Sequence, residues 1–291
     1  MLNLTPRPHA GGGGSTLSDF DFLPVFNPGW VWLAGAGPGD PALLTLGVHS
    51  ALQQADVVVH DALVGGDILR FAKPGALLEY VGKRGGRPSC RQADITERLI
   101  QLARTGKRVL RLKGGDPFMF GRGGEEAVEL SRAGIPFRVL PGVTAGIGGL
   151  AYGGLPATHR EVNSAVTFLT GHDAGGDVPD GLDWHAIARG APVLVIYMGV
   201  RHFAGIAGRL IEAGRPASQP VAIVTNATLP SQKVHETTIA EAAGVIEREG
   251  IKAPAMIVVG DVVKLRADLD WMGRFVVPAG ETQAVATRHI G

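Results

Sequence analysis

Short apolar runs alternate with helix-like segments throughout the first half of the chain. Asp40 followed by Pro41 is a strong signal for a helix start, and Leu44, Val48 and Leu52 supply its apolar stripe. Strand–helix alternation of this kind is typical of a parallel sheet with helices on its faces. Strands are predicted at residues 30–34, 56–60, 77–81, 107–112 and 136–140, and further helices at 95–104 and 125–133.

The second half repeats the pattern after a Gly/Ala-rich helix that follows residue 145. Its apolar runs lie at residues 165–170, 192–198, 220–225, 234–238 and 255–260, with helices at 203–213 and 239–249. The prediction is an α/β protein of two domains, with a mainly parallel N-terminal sheet, a mixed C-terminal sheet and an active-site cleft between them. We assign residues 1–28 to a flexible tail, 29–142 to the N-terminal domain, 143–272 to the C-terminal domain and 273–291 to a second flexible tail.

Composition narrows the class of protein. The formal net charge of the 291 residues is +1, so no overall field recruits nucleic acid or an acidic membrane surface. No apolar run reaches the ~18 residues that span a bilayer. The start of the chain lacks a basic region followed by an apolar segment, and Cys90 is the only cysteine. We therefore expect a cytoplasmic protein with no membrane or nucleic-acid partner.

The most informative segment is the glycine-rich stretch from Leu112 to Glu126. It follows a predicted strand and contains Gly114-Gly115-Asp116, Pro117, Met119 and Arg122 before a helix begins at about Glu125. Glycines at the carboxyl end of a parallel strand allow a ligand to approach the backbone closely. The segment has no Gly-Lys-Ser/Thr, and the carboxylate of Asp116 would repel a phosphate group.

The turn Gly35-Ala36-Gly37-Pro38-Gly39 invites comparison with a dinucleotide-binding turn. A Rossmann turn needs a glycine where Asp40 stands. Pro38 also lacks the backbone N–H that would donate a hydrogen bond to a pyrophosphate. A nicotinamide cofactor is therefore disfavoured, and the turn is at least a tight strand-to-helix connection with a good cap.

Charged residues follow several of the predicted strands. Asp61 comes directly after the second strand, where it is either an ordinary cap or a functional carboxylate. Bases at Lys83, Lys113, Arg122 and Arg160 would share one sheet edge, which suggests a substrate with several carboxylates or phosphates. The nine histidines form no His-x-x-x-His pair, so no metal site is predicted.

Eight motifs give the chain a resemblance to the tetrapyrrole methylases. They lie at residues 31–41, 58–64, 81–86, 111–126, 141–145, 154–160, 168–172 and 197–199, and the resemblance covers about residues 30 to 270. The Gly-Lys-Arg segment, the Gly-Gly-Asp-Pro loop and Thr158-His159-Arg160 together resemble the branch that C-methylates uroporphyrinogen III.

The resemblance implies a homodimer of two-domain subunits with S-adenosyl-L-methionine bound in the cleft and S-adenosyl-L-homocysteine as its product. The cationic sulfonium suits Asp116 and backbone carbonyls, and the adenine suits an apolar slot. The implied contacts are Pro38, Gly114, Gly115, Asp116, Met119, Thr144, Ala145, Met198, Ala227 and Ala255, although relatives often carry Gly where Ala227 stands.

The resemblance also implies roles around a tetrapyrrole substrate. Asp61 would accept the proton lost after methylation and Lys83 would donate one. Arg122 and Arg160 would bind the carboxylates, and Glu125 would orient either a pyrrole N–H or a neighbouring arginine. The implied reaction is methylation at carbons 2 and 7, giving precorrin-1 and then precorrin-2. Because a dehydrogenase/chelatase domain is not visible, a monofunctional enzyme is expected. The alternatives left open are a methylase for a later corrin intermediate, RNA or a protein histidine, a nucleotide-binding oxidoreductase, and a non-catalytic S-adenosyl-methionine sensor.

Overall fold

The computed structural model describes residues 22–82, 92–173 and 176–275. They form two five-stranded sheets connected by helices. The first sheet has the order β3-β2-β4-β1-β5, and every neighbouring pair is parallel. Its strands are β1 Val31–Gly35, β2 Val57–His60, β3 Leu77–Tyr80, β4 Val109–Lys113 and β5 Phe137–Leu140, and its helices are α1 Leu46–Gln54, α2 Gly66–Leu69, α3 Gln92–Arg104 and α4 Gly123–Arg132.

The second sheet is mixed, with the order β6-β7-β10-β8-β9. Its β6–β7 pair is parallel and the other three pairs are antiparallel. Its strands are β6 Val166–Thr170, β7 Val193–Tyr197, β8 Pro220–Thr225, β9 Lys233–Thr238 and β10 Ala255–Val259. The accompanying helices are α5 Ala145–Tyr152, α6 Trp184–Gly190, α7 Phe203–Glu212, α8 Ala242–Arg248, α9 Arg266–Leu269 and α10 Trp271–Phe275. The predicted fold class, one parallel and one mixed sheet, is confirmed.

Each sheet is covered on both faces, because alternate strand residues point to opposite sides. On β4, Leu110 and Leu112 pack with α1, whereas Val109 packs with α3 and α4. In the second sheet, one face packs against α6, α7 and α8, and the other against Leu150 of α5. The first sheet therefore places the carboxyl ends of its strands at one edge, and α5 connects that edge to the second sheet.

Several helix starts differ from the prediction: α3 already includes Gln92, and α8 begins at Ala242 instead of residue 239. Asp40 does cap a start, since its side chain accepts a hydrogen bond from the Ala42 N–H, but Pro41–Leu43 is a single 3-10 turn. Leu44 is then extended, and α1 begins at Leu46 because the Thr45 hydroxyl caps the Val48 N–H. Helix α4 begins at Gly123, two residues before the predicted Glu125.

Part of the predicted N-terminal tail packs on the first sheet. Phe26 is 1% exposed, and its ring stacks on Trp32 with the centroids 4.1 Å apart. The Arg108 guanidinium donates a 2.7 Å hydrogen bond to the Phe26 carbonyl. The domain bounds themselves stay predictions.

Within the described ranges, none of the helices combines the length and the apolar character that crossing a membrane requires.

Candidate active site

The turn after β1 and the glycine-rich loop after β4 are joined by backbone hydrogen bonds. The Gly115 N–H donates to the Gly37 carbonyl at 2.7 Å, and the Gly37 N–H donates back at 3.1 Å. A Cβ at Gly35 would lie 2.4 Å from the Gly115 carbonyl oxygen, and one at Gly142 would lie 2.2 Å from the same atom. Glycine is therefore required where these three strand ends meet.

Asp116 ties the same loop to the segment that follows β5. Its carboxylate is half-buried and accepts hydrogen bonds from the Phe118 N–H at 2.8 Å and the Gly142 N–H at 3.0 Å. A Cβ at Gly115 would lie 3.9 Å from Thr144 Cα. Four predicted cofactor contacts, Gly114, Gly115, Asp116 and Thr144, thus lie together at the carboxyl edge of the first sheet.

Helix α5 brings further predicted contacts to this edge through three glycines. A Cβ at Gly148 would lie 3.1 Å from Pro38 Cγ, and a Cβ at Gly149 would lie 2.7 Å from Ala227 Cβ. Gly146 meets Tyr197 in the same way, because its Cβ would lie 2.3 Å from the phenol oxygen. Residues from two loops and from the end of β7 therefore surround one helix.

Tyr197, at the end of β7, fixes the start of α5. Its hydroxyl lies 2.6 Å from Thr144 Oγ1 and accepts a 2.8 Å hydrogen bond from the Gly146 N–H. Burial raises the pKa of Tyr197, and the negative charge of Asp116 raises it further, so the phenol stays neutral. The sequence motif contained Tyr197 but suggested no role for it.

Of the other predicted cofactor contacts, Met198, Ala227 and Ala255 belong to the second sheet and its loops, and Met119 belongs to the first. Met198 follows Tyr197 with a φ of 55° and is 42% exposed. Ala255 begins β10 and pairs with Thr225, the last residue of β8. The loop that holds Ala227 follows Thr225 directly. Met119 is half-buried in the glycine-rich loop.

Asp40 connects the two halves of the chain. Its N–H donates to Thr228 Oγ1 at 2.9 Å, and its carboxylate accepts a 2.8 Å hydrogen bond from the Tyr152 hydroxyl. Tyr152 ends α5, and Thr228 lies in the loop after β8. Asp40, whose position disfavours a dinucleotide-binding turn, thus joins the turn after β1 to the second half of the chain.

Two cations on β4 form a buried ionic cluster with Glu126 of α4. Arg111 and Lys113 are each 3% exposed, and Glu126 is 0% exposed. Oε1 of Glu126 accepts hydrogen bonds from Arg111 Nε at 3.1 Å, from Lys113 Nζ at 3.1 Å and from Gln92 Nε2 at 2.7 Å. The expectation that Lys113 faces a substrate is therefore wrong, because a buried carboxylate holds it.

Burial lowers the pKa of Lys113, the neighbouring Arg111 lowers it further, and Glu126 opposes both effects. The sequence signal for this cluster is the pair of bases at alternate positions of an otherwise apolar strand, which places both side chains on one face. That signal does not identify Glu126.

Asp61 is the fourth member of this cluster and lies at its outer, partly exposed end. Its Oδ1 accepts a 3.0 Å hydrogen bond from the Leu63 N–H, so it does cap the turn after β2. Its Oδ2 lies 3.6 Å from Arg111 Nη2, and its side chain is 27% exposed. Lys83, its predicted partner in proton transfer, lies outside the described residues.

Arg122 and Glu125 form an exposed ion pair at the start of α4. Arg122 donates from Nε to Oε1 at 2.9 Å and from Nη2 to Oε2 at 2.7 Å, and both side chains are more than half exposed. The hydrogen bond from Arg122 lowers the pKa of Glu125. Glu125 therefore orients the arginine, which is one of its two predicted roles.

Arg160 is exposed in the turn between His159 and Asn163, whose amide oxygen accepts a hydrogen bond from the His159 N–H at 2.9 Å. Among the described residues, Glu125 forms its ion pair with Arg122 and none with Arg160. The convergence of the two arginines on one ligand stays a prediction.

Exposed apolar side chains border these charged groups. Leu63, Phe118 and Phe120 are all exposed, and a Cβ at Gly114 would lie 2.5 Å from Leu63 Cβ. The Phe120 ring lies 4.9 Å from the Tyr197 ring, between centroids. The sequence gives no signal for these three residues, because apolar side chains in loops follow no periodicity. In the described part of the chain, no group of three or more His, Cys, Asp or Glu side chains is placed to hold a metal ion.

Comparison with known proteins identifies relatives for this arrangement. A family model described as Tetrapyrrole (Corrin/Porphyrin) Methylases matches residues 31–243. The chain is 60% identical over 254 residues to a uroporphyrinogen-III C-methyltransferase of Sinorhizobium sp., with 87% of this chain and 91% of that protein covered.

It is also 47% identical over 257 residues to the siroheme synthase of Actinobacillus pleuropneumoniae serotype 7, with 88% of this chain and 52% of that protein covered. The chain therefore spans about half the length of the siroheme synthases that it matches. A crystal structure of uroporphyrin-III C-methyl transferase from Thermus thermophilus complexed with S-adenyl homocysteine has a TM-score of 0.70 at 39% identity, covering 81% of this chain and 99% of that chain.

Proposed function

The chain belongs to the tetrapyrrole methylase family, and from this membership we propose that it methylates uroporphyrinogen III at carbons 2 and 7, using S-adenosyl-L-methionine. The first transfer gives precorrin-1 and the second gives precorrin-2. The observation that carries the proposal is the convergence of Gly115, Asp116, Thr144 and Pro38 beside α5, in a chain 60% identical to an enzyme with this activity.

The described residues fit the methyl donor. S-adenosyl-L-methionine, when bound, supplies a methyl group on a positively charged sulfur. The half-buried carboxylate of Asp116 provides a negative charge beside the loop that would hold it. The other contacts are neutral backbone and side-chain groups, which favour a nucleoside over a phosphate ligand: Pro38, Gly114, Gly115, Met119, Thr144, Ala145, Met198, Ala227 and Ala255.

Arg122 and Arg160 bind the carboxylates of the tetrapyrrole in this proposal. Guanidinium groups match carboxylates in a bidentate geometry, and both arginines are exposed. Glu125 holds Arg122 in place until a substrate carboxylate competes for it. Leu63, Phe118 and Phe120 offer apolar surface to the ring system, because they are exposed next to the same loop.

Asp61 acts in this proposal as the proton acceptor. The methylated tetrapyrrole carries an extra positive charge until it releases a proton, and Asp61 presents a partly exposed carboxylate at the end of β2. Lys83 completes the acid–base pair as the donor. The protein otherwise acts by holding donor and acceptor in line and by excluding water between the two sheets. A homodimer in the cytoplasm belongs to the same proposal.

The test is an anaerobic incubation of the protein with uroporphyrinogen III and methyl-labelled donor. We expect label in the tetrapyrrole, a net mass gain of two CH2 units and the absorbance of a dimethylated product. Absence of transfer would contradict the proposal. In a parallel incubation with a later corrin intermediate, label that enters only that intermediate would support the alternative methylase. Calorimetry with S-adenosyl-L-homocysteine and with NAD tests the oxidoreductase alternative, because only the first ligand is expected to bind.

A further inference from the structure

The ionic cluster of Arg111, Lys113, Glu126 and Asp61 combines two cations with two anions behind the candidate active site. Three of its side chains are almost fully buried beneath α3 and α4. Removing charges from water is strongly unfavourable, and apolar side chains of similar volume often give equal or greater stability. Stability alone is therefore a weak reason for placing these charges in a parallel sheet.

Arg111 is held at three points. Its Nε donates to Glu126, and its Nη1 lies 3.3 Å from the Val59 carbonyl oxygen and 3.2 Å from that of Leu112. A guanidinium is planar and rigid, so fixing these two nitrogens also fixes the third. The remaining nitrogen, Nη2, lies 3.6 Å from Asp61 Oδ2.

Asp61 is thus held from two sides. The Leu63 N–H binds one carboxylate oxygen at 3.0 Å, and Arg111 faces the other. The buried end of this chain of contacts is Glu126, whose Oε2 has no hydrogen-bond partner among the described residues. The other oxygen, Oε1, binds Arg111 and Lys113, and Arg111 is the residue that reaches Asp61.

We propose that Arg111 and Glu126 are positioning residues for Asp61. Glu126 fixes the guanidinium of Arg111, and Arg111 holds the Asp61 carboxylate where it accepts the proton of the methylated tetrapyrrole. That proton leaves after the new carbon–carbon bond has formed and the carbon–sulfur bond has broken, so Asp61 ends protonated and the tetrapyrrole loses its extra charge. This inference rests on the proposed function.

A double-mutant cycle tests the inference, with Arg111→Lys, Asp61→Asn and their combination. Arg111→Lys keeps the positive charge beside Glu126, but a single ammonium group does not bridge both carboxylates. We expect Arg111→Lys to lower kcat about 10- to 100-fold, as small misplacements of reacting groups do. The KM and the affinity for S-adenosyl-L-homocysteine should change little. In the Asp61→Asn background, Arg111→Lys should lower kcat no further.

The matched control is Arg108→Lys. Arg108 faces Asp56 at 3.5 Å across the same two strands, at their amino ends. We expect this variant to keep the wild-type kcat. Glu126→Gln is the second test, because it keeps the side-chain volume and one acceptor oxygen. It should lower kcat in the wild-type background and not in the Asp61→Asn background, even if Arg111→Lys fails to fold.

Three results would overturn the inference. These are an unchanged kcat in Arg111→Lys, an equal fractional loss in the Asp61→Asn background, and an unchanged kcat in Asp61→Asn itself. In each case, a wild-type protein that methylates uroporphyrinogen III keeps the proposed reaction intact, but an unchanged kcat in Asp61→Asn also removes Asp61 as its proton acceptor. A wild-type protein that transfers no methyl group overturns both.

Discussion

The two sides of the candidate active site hold their polar groups by different means. On the first-sheet side, Asp61 is backed by buried charges on β4 and α4. On the second-sheet side, Tyr197 holds Thr144 and the start of α5 with hydrogen bonds between neutral groups. Buried charges lie behind the proposed proton acceptor, whereas the proposed nucleoside contacts are neutral apart from the carboxylate of Asp116. We expect variants of the charged side to change turnover and variants of the neutral side to change donor affinity.

The largest effect that we predict is for Asp61→Asn. Loss of the proton acceptor should lower kcat by about 10²- to 10⁴-fold, which is the usual contribution of acid–base catalysis. Donor affinity should stay unchanged, because Asp61 lies on the acceptor side. Rapid-quench measurement of methyl transfer gives kcat, and calorimetry gives the affinity. Asp56→Asn, at the opposite end of β2, should reduce stability through its contacts with Lys73 and Arg108 and leave kcat unchanged. Equal losses of kcat in both variants would contradict a special role for Asp61.

Removing either arginine that is proposed to bind the substrate should have the next largest effect. Charge-assisted hydrogen bonds contribute about 1.5–3 kcal/mol, so Arg122→Ala and Arg160→Ala should each lower kcat/KM for uroporphyrinogen III by roughly 10- to 100-fold. Thermal stability should barely change in Arg122→Ala, since its pair with Glu125 is exposed. The control is Arg132→Ala, which breaks an exposed pair with Glu129 on the same helix. A similar loss of kcat/KM in the control would place the effect in α4 and not in substrate binding.

Tyr197→Phe should weaken donor binding by a smaller amount. The variant leaves the Gly146 N–H and the Thr144 hydroxyl without a partner, which costs about 1–2 kcal/mol, or roughly 5- to 30-fold in affinity. The kcat at saturating donor should stay close to wild type. Tyr152→Phe removes a comparable hydroxyl from the other end of α5, where it binds Asp40. An equal loss of S-adenosyl-L-homocysteine affinity in Tyr152→Phe would show that the effect is not local to Thr144.

The smallest predicted effect is on the pH dependence of stability. Burial lowers the pKa of Lys113 below its ordinary value of 10.5. Between the lowered pKa and 10.5, the unfolded chain binds more protons at this residue than the folded protein. The contribution of Lys113 to the free energy of unfolding should therefore increase as pH rises through that window. Urea unfolding at several pH values towards 10.5 should show wild type gaining stability relative to Lys113→Met. A parallel pH dependence of the two proteins would contradict the lowered pKa.

Most of the fold could be predicted because its strands are short, apolar and separated by glycine or proline. The exceptions are helix starts, where neighbouring residues give competing capping signals. Asp40 and Pro41 give a correct cap signal, but Thr45 caps the longer helix a few residues later. Helix α4 begins early because Arg122 adopts a left-handed conformation, with a φ of 58°, just before it.

The site was only partly predictable. The glycine-rich loops identified Gly115, Asp116 and Thr144, because a close approach of two backbone segments requires glycine and glycines are visible in the sequence. Glu126 was missed because its partner Arg111 is 15 residues away and the spacing does not show which helix face turns inward. Tyr197 was missed because its role depends on the glycines of α5, which permit its approach only in the folded structure.

The most direct test is a crystal structure of the protein with S-adenosyl-L-homocysteine and uroporphyrinogen III, prepared anaerobically. It shows whether the donor and the acceptor occupy the two different sides of the candidate active site. We predict the nucleoside in contact, within about 4 Å, with Gly115, Met119 and Thr144. We predict the tetrapyrrole carboxylates on Arg122 and Arg160, with the ring beside Asp61. A nucleoside bound away from Asp116 and Met119, or arginines directed into bulk solvent away from the tetrapyrrole, would contradict the account.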